Sequence, residues 1–335
     1  MIETISRDRL IELLNAGGEQ RVAIVGDAML DVYLRGDVDR ISPEAPVPVV
    51  RVREKELALG GAANVAQNVV AIGAQCTLVC AVGEDAEGQV VKEMLREIGA
   101  ASRSIVSVQR RTTTKTRILA RSQQIVRFDE EEDADIRGVE VERLLAAAID
   151  AIDAADALVL EDYNKGVLTP ALITPLMQHA KSREMPTVVD PKYRNFFAYS
   201  GATIFKPNRR ELESALGAAV DLEHPEALPE ALRKLGVEHL LLTLGDAGMA
   251  LIAADGEVGR VPTTAHEVYD VVGAGDTVTA YLATMLAAGA TPAESAVIAN
   301  FAAGVEVAKL GAATVSTDEV VEAYDLFGAT GEFAV

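Results

Sequence analysis

The 335-residue sequence predicts an α/β fold: a mostly parallel central sheet with helices on both faces, plus a small accessory β-sheet. Three observations carry that reading. Short apolar runs alternate with longer helical stretches along most of the chain. Several of those runs end in Gly or in polar residues, the pattern of strand ends that face a ligand crevice. Two β-rich patches, one of them punctuated by prolines, interrupt the alternation. The composition is 49% apolar, ample for a buried core, and the length admits one large α/β domain or two ordinary ones.

The first 18 residues show an amphipathic helix pattern with charges throughout, unlike a signal peptide. Residues 21–25 are a short apolar run ending in Gly26 and Asp27, which reads as a buried strand whose carboxyl end carries an acid. Asp27 and Asp31 are therefore candidate binding residues, with ordinary loop acids as the alternative. From about 33 to 59 the character changes, because Pro43, Pro46 and Pro48 exclude helix and β-branched runs lie among them. A second patch, from about 104 to 128, alternates polar and apolar residues. Together the patches predict a small sheet with one wet face.

Gly60 and Gly61 open a helix that runs through Asn64 to about Ile72; the pair either allows a ligand's close approach or simply starts the helix. A strand is expected near 77–82, a helix near 87–98 and another near 139–152. Cys76 and Cys80 lie in or beside that strand, roughly 13 Å apart in extended chain, too far for a disulfide. They have no neighbouring His to make a zinc site. The acidic run at 129–135 reads as a solvated turn. Strand runs at 158–160 and 187–189 are followed by Asp162, Tyr163 and Lys165, and by Asp190 and Lys192. Residues 202–205 lead into KPNRRE at 206–211, where Asn208 and Glu211 have the spacing of a first helical turn, with capping as one reading and ligand binding as the other. A strand and turn at 240–245 bring Thr243, Gly245 and Gly248, and a closing helix over 292–310 carries Asn300 and the small pair Ala302 and Ala303.

The stretch DVVGAGDT at 270–277 is where the chemistry is expected. Gly273 and Gly275 leave backbone amides bare, and residues 277–288 read as a helix whose positive dipole end faces the same point. Asp276 at that helix start is either an N-cap or a catalytic acid–base group.

GAGD at 273–276, together with GGAANVA at 60–66 followed by Gly73 and Gly83, resembles the paired signatures of the ribokinase-like (PfkB-type) carbohydrate kinases. GDAMLDVY at 26–33, RISPEAPVP at 40–48, DYNKG at 162–166, DPK at 190–192 and KLG at 309–311 resemble the bacterial D-glycero-D-manno-heptose 7-phosphate kinases. The likeness covers nearly the whole chain, so it implies one kinase domain over 1–335, with lid segments at about 33–59 and 104–128. Tyr281 departs from the family pattern, which usually has Gly or Ala there.

The resemblance implies ATP-dependent phosphorylation of the anomeric hydroxyl of the heptose 7-phosphate, with a fructose-phosphate or ribose kinase, or a silent sensor, as alternatives. Asp276 would be the base, with the amides of Gly273, Ala274 and Gly275 as an anion hole. Asp27, Asp31, Gly60, Gly61, Asn64, Lys165 and Lys192 would meet the sugar phosphate, Lys192 having the ATP phosphates as its alternative, with Arg121 and Arg127 on the lid as a second basic pair. Asn208, Arg209, Arg210, Glu211, Thr243, Gly245, Gly248 and Asn300 would meet ATP. Magnesium would lie near Glu211, and a potassium-like ion near Asp270 and the Val272 carbonyl. A homodimer through the lid is implied, and a separate nucleotidyltransferase is expected, since relatives of the bifunctional type carry that domain after the kinase and this chain ends without it.

A formal charge of −20 argues against a nucleic-acid partner. No apolar run of about 18 residues suggests a membrane span, and a cytoplasmic protein is expected. The sequence has no GxxxxGK[ST] and no GxGxxG after its first strand, and His179, His224, His239 and His266 accompany no nucleophile motif.

Overall fold

The N-terminal amphipathic segment forms α1 (Arg7–Gly17), whose cap is the Ser6 hydroxyl accepting from the Arg9 amide. The computed structural model describes residues 5–100, 104–121, 123–224, 228–265 and 268–327; His266 and the tail after residue 327 lie outside them. Strand β1 (Arg21–Gly26) shows why two helical layers are needed. Val22 and Ile24 enter one apolar cluster, whereas Ala23 and Val25 enter the other, the period of two that a doubly covered strand requires.

The chain then leaves the large sheet as β2 (Ala28–Ile41) and β3 (Pro48–Gly61), with the prolines in and around the turn between them. It returns through α2 (Ala62–Ala71), β4 (Gln75–Gly83), α3 (Ala86–Glu97) and β5 (Ile105–Val108). After β6 (Thr114–Ala120) and β7 (Gln123–Glu130) come α4 (Val139–Asp153), β8 (Ala157–Glu161), α5 (Pro170–Ser182) and β9 (Thr187–Asp190). The rest comprises β10 (Ile204–Phe205), α6 (Arg209–Leu216), α7 (Leu228–Leu235), β11 (His239–Thr243), β12 (Met249–Ala253) and β13 (Val258–Val261). Three helices, α8 (Ala274–Ala287), α9 (Pro292–Glu306) and α10 (Thr317–Phe327), close the described chain.

The large sheet has the order β13-β12-β11-β10-β9-β8-β1-β4-β5, parallel from β11 to β5 with two antiparallel strands at the β13 edge. Successive strands run from β1 to one edge and then, from β8, to the other. The switch point therefore lies between β1 and β8, and a crevice opens beyond their carboxyl ends, at Asp27 and Asp162. A four-stranded sheet, β3-β2-β6-β7, stands beside that crevice.

Several boundaries differ from the sequence expectation. Ile105–Val108, assigned from the sequence to the small sheet, pairs in parallel with β4 at the edge of the large one. Its alternating burial is equally compatible with either sheet, so only the pairing partner decides. The small sheet also begins earlier, at Ala28, and α8 starts at Ala274, one turn before residue 277. The closing helix ends at Glu306. Cys76 and Cys80 are buried free thiols in β4. Among the described residues no helix is long and apolar enough to cross a membrane.

Candidate active site

Helix α8 begins on Gly273, whose φ of 99° only glycine adopts without strain. The first helical amide bond is Thr277 N–H to the Gly273 carbonyl, 2.9 Å, so the amides of Gly273, Ala274 and Gly275 have no partner within the helix. Asp276 is the third residue of α8, yet its carboxylate caps nothing. Its Oδ1 accepts from the Tyr163 hydroxyl and its Oδ2 from the Asn64 Nδ2, each at 2.8 Å. Burial pushes the Asp276 carboxyl up to about 6 against those two donors, with the Asp190 charge adding to the rise. The cap reading of Asp276 is thus replaced by a buried, oriented carboxylate beside bare amides.

Asn64, expected to touch sugar, is 1% exposed and spends its amide on Asp276. Asp27 has partners of its own. Its carboxylate is buried and accepts the amides of Tyr163, Lys165 and Val167 at 2.9–3.0 Å, so it organises the 163–167 loop. That loop is what carries Tyr163 to Asp276. Gly60 and Gly61 have a packing reason: a Cβ on Gly60 would fall 2.7 Å from the Asp31 carboxylate, and one on Gly61, at φ 59°, 2.4 Å from the Asp27 carbonyl. Asp31 is buried in an ion pair with Arg117 at 2.6 Å.

The expected lysines separate. Lys165 pairs with Glu131 of the acidic run at 2.8 Å. Lys192 reaches Glu211 at 2.7 Å and Asp190 at 3.6 Å. Arg121 is exposed at the β6–β7 turn and Arg127 pairs with Asp129. A basic residue the sequence reading missed, Lys115 on β6, stands 5.2 Å from the Tyr163 ring centroid, with Lys192 at the same distance. Burial lowers the Lys115 pKa. Only its position on the small sheet, opposite a loop 48 residues later, reveals it.

On the other side of Gly275 a cleft of about 380 Å³ is lined by Asn208, Thr243, Gly245, Gly248, Asn300 and Ala303, all singled out from the sequence. Ala274 and Gly275 close its inner end. Ala302, the neighbour of Ala303, is buried away from it. The Asn300 amide is occupied in holding the Pro262 carbonyl at 2.8 Å, so Asn300 shapes the wall. Asn208 and Glu211 do form a capping box, and Glu211 also receives Lys192. The Arg209 guanidinium binds Glu213 and the Val220 carbonyl, so it braces α6, and with Arg210 it borders a cavity that adjoins the cleft through Asn208, Thr243 and Gly245.

Two further residues escaped the sequence reading. Lys206, 3% exposed, pairs with Asp190 at 2.8 Å and lies 3.6 Å from where a Cβ on Gly275 would be, so its ammonium sits beside Gly275. Its signal was the KPN stretch at the end of β10. Glu306 is buried with neither oxygen hydrogen-bonded among the described residues, one of them 3.0 Å from a Cβ built on Gly273. Burial and the Asp270 charge push it up to about 8. Asp270 itself accepts the Val272 and Gly311 amides.

Residues 19–319 match the family model described as pfkB family carbohydrate kinase. The bifunctional protein HldE of Rhodospirillum rubrum is 43% identical over 318 residues, and that of Pelobacter propionicus 45% over 307. These matches cover 94% and 90% of this chain but only 64% and 63% of the relatives, so the chain spans less than two thirds of their length. Among solved structures, ribokinase of Arabidopsis thaliana complexed with ribose and ATP matches with a TM-score of 0.72 at 20% identity, covering 91% of this chain and 98% of that one. Phosphofructokinase-2 of Escherichia coli in complex with potassium matches with a TM-score of 0.75 at 19% identity, covering 92% and 99%. At such identities these two show the ribokinase-like fold.

Proposed function

This chain belongs to the pfkB family of carbohydrate kinases, and we propose that it transfers the γ-phosphoryl group of ATP to the anomeric hydroxyl of D-glycero-D-manno-heptose 7-phosphate. The product would be the 1,7-bisphosphate, consumed in ADP-heptose synthesis by a nucleotidyltransferase. The observation that carries the reading is Asp276, a buried carboxylate aimed by Tyr163 and Asn64 instead of capping its own helix. Above about pH 6 it is ionised and takes the proton of the attacking hydroxyl as the new O–P bond forms and ADP leaves. The amides of Gly273, Ala274 and Gly275, with the Lys206 ammonium, stabilise charge on the phosphoryl group in flight.

ATP occupies the cleft walled by Thr243, Gly245, Gly248 and Asn300. Magnesium suits the Glu211 carboxylate beside Asn208, where it would neutralise phosphate charge. A potassium-like ion suits the Asp270 and Val272 turn, where the unpartnered Glu306 oxygens offer additional donors. The sugar phosphate lies under the small sheet, which acts as a lid, with Lys115 and Lys165 for its distal phosphate and Asp31 for hydroxyls. The lid also offers a dimer surface. Strand β7 is an exposed edge carrying Ile125, Val126 and Phe128, and sedimentation should report a dimer.

The test is a substrate panel of heptose 7-phosphate, fructose 6-phosphate and ribose, read by ADP release and product NMR, run on wild type and Asp276→Asn. The heptose phosphate should be turned over best, and the variant should lose roughly 10²–10⁴ in turnover with ATP affinity kept. Preference for ribose would redirect the substrate assignment. Near-normal turnover by Asp276→Asn would remove the base.

A further inference from the structure

Beneath the catalytic carboxylate lies a second acid, one the mechanism above does not use. Glu161 ends β8, is 0% exposed, and has no hydrogen-bond donor on either side-chain oxygen among the described residues. One oxygen each of Glu161, Asp190 and Asp276 lie within 4.8 Å of one another. Facing this trio from the packed elements are Lys206 after β10, Lys192 after β9 and the Tyr163 hydroxyl after β8.

Counting charges and donors decides who carries a proton. Asp276 has two donors, Tyr163 and Asn64. Asp190 has the Lys206 ammonium at 2.8 Å and Lys192 at 3.6 Å, and Lys192 is shared with Glu211. Three carboxylates thus face one undivided cation and part of another. A buried carboxylate with no donor, beside two ionised neighbours, is the costliest of the three to ionise. As an acid, Glu161 becomes instead a donor facing two carboxylates within 4.8 Å, of which Asp190 is its hydrogen-bond acceptor. Lys206 already provides the cation of this cluster, so no metal ion is called for.

We infer that Glu161 is held as the neutral acid and serves as a positioning residue, its proton fastening Asp190 so that Asp190 in turn holds the Lys206 ammonium beside Gly275. Asp276 is left as the trio's one ionised carboxylate free to take a proton. Burial, together with the Asp190 and Asp276 charges, raises the Glu161 pKa far above the usual range, while Lys206 and Lys192 outweigh burial and lower that of Asp190. Gly26 of the adjacent strand packs directly on Glu161, since a Cβ there would fall 2.2 Å from the Glu161 carbonyl and 2.9 Å from its Cβ. The inference rests on the reading of Asp276 as the base, but its first test does not.

That test is infrared difference spectroscopy of wild type minus Glu161→Gln at pH 7.5 without substrate. A carboxylic-acid C=O band that shifts in heavy water is expected, and a carboxylate band in its place would overturn the proposal. Kinetics supply the second arm. Gln keeps a neutral donor, so Glu161→Gln should hold kcat within about threefold and leave the acid limb of kcat/KM in place, whereas Glu161→Met should lose about tenfold or more in kcat with the KM for ATP kept. An acid limb that falls by about one pH unit in Glu161→Gln would mean that Glu161 is ionised in the native enzyme. Full kcat in a folded Glu161→Met would show that it positions nothing. Should Asp276→Asn prove active, the base assignment fails while the infrared result still stands.

Discussion

Replacing Tyr163 by Phe removes one atom from the candidate site and keeps the ring on which Lys115 and Lys192 rest. The lost hydroxyl donates to Asp276 Oδ1 at 2.8 Å, leaving Asn64 as the carboxylate's remaining side-chain donor among the described residues. A hydrogen bond to a charged group contributes about 1.5–3 kcal/mol, which is about 1–2 pKa units on a buried carboxyl. Starting from about 6, the Asp276 pKa should therefore rise to about 7–8. At pH 7 the ionised fraction would fall from about nine-tenths to between about a half and about a tenth, a loss of about twofold to tenfold in kcat/KM. At pH 9 the variant should recover most of the wild-type rate. A pH series of kcat/KM for both proteins reads this directly as a displaced acid limb. An equal loss at every pH would refute the reasoning, because Tyr163 would then act on substrate or packing and not through the ionisation of Asp276.

Other expectations follow from the same geometry. Glu211→Gln keeps the capping box, because Gln at the third helical position still accepts the Asn208 amide, so the melting temperature should hold while the magnesium needed for half-maximal activity rises about tenfold; a lost melting temperature with unchanged magnesium dependence would leave only the cap. Glu306 has its folded pKa raised from 4.5 to about 8, so its contribution to stability is full below pH 4.5 and drains away as pH rises to 8. Glu306→Gln should therefore stabilise the protein in potassium-free buffer at pH 8.5 and little at pH 4.5, as urea titrations at the two pH values would show. Lys115→Met and Lys165→Met should each raise the KM for the sugar phosphate about tenfold with the KM for ATP unchanged; an effect confined to ATP would move that lysine to the nucleotide side.

What the sequence made legible is what local chain chemistry controls. Strand runs, the Gly273 turn and the cleft wall at Thr243, Gly245 and Gly248 each depend on a few consecutive residues. The partners of Asp276 could not be read in this way, since Asn64 is 212 positions away and Tyr163 is 113. The partners of Asp27 were hidden for a related reason. An acid at a strand end is equally suited to a ligand hydroxyl and to the amides of a neighbouring loop, and only the parallel pairing of β1 with β8 brings that loop within reach. Ile105–Val108 has the same ambiguity at the level of a whole strand.

A chain of formal charge −20 for which two anionic substrates are proposed has to arrange its cations before such substrates arrive. Lys206, Lys192, Lys165 and Arg117 all stand against carboxylates: Asp190, Glu211, Glu131 and Asp31. This prepayment limits the cost of burying each cation, and it turns phosphate binding at Lys165 or Lys192 into an exchange of one oxyanion for another. Such an exchange gains little by itself, so it favours geometry over raw attraction. Lys115 differs, since no carboxylate within ion-pair distance is recorded for it among the described residues, and burial lowers its pKa. A phosphate there would relieve a desolvated ammonium instead of replacing a partner, which makes it the position where the distal phosphate of the sugar gains most.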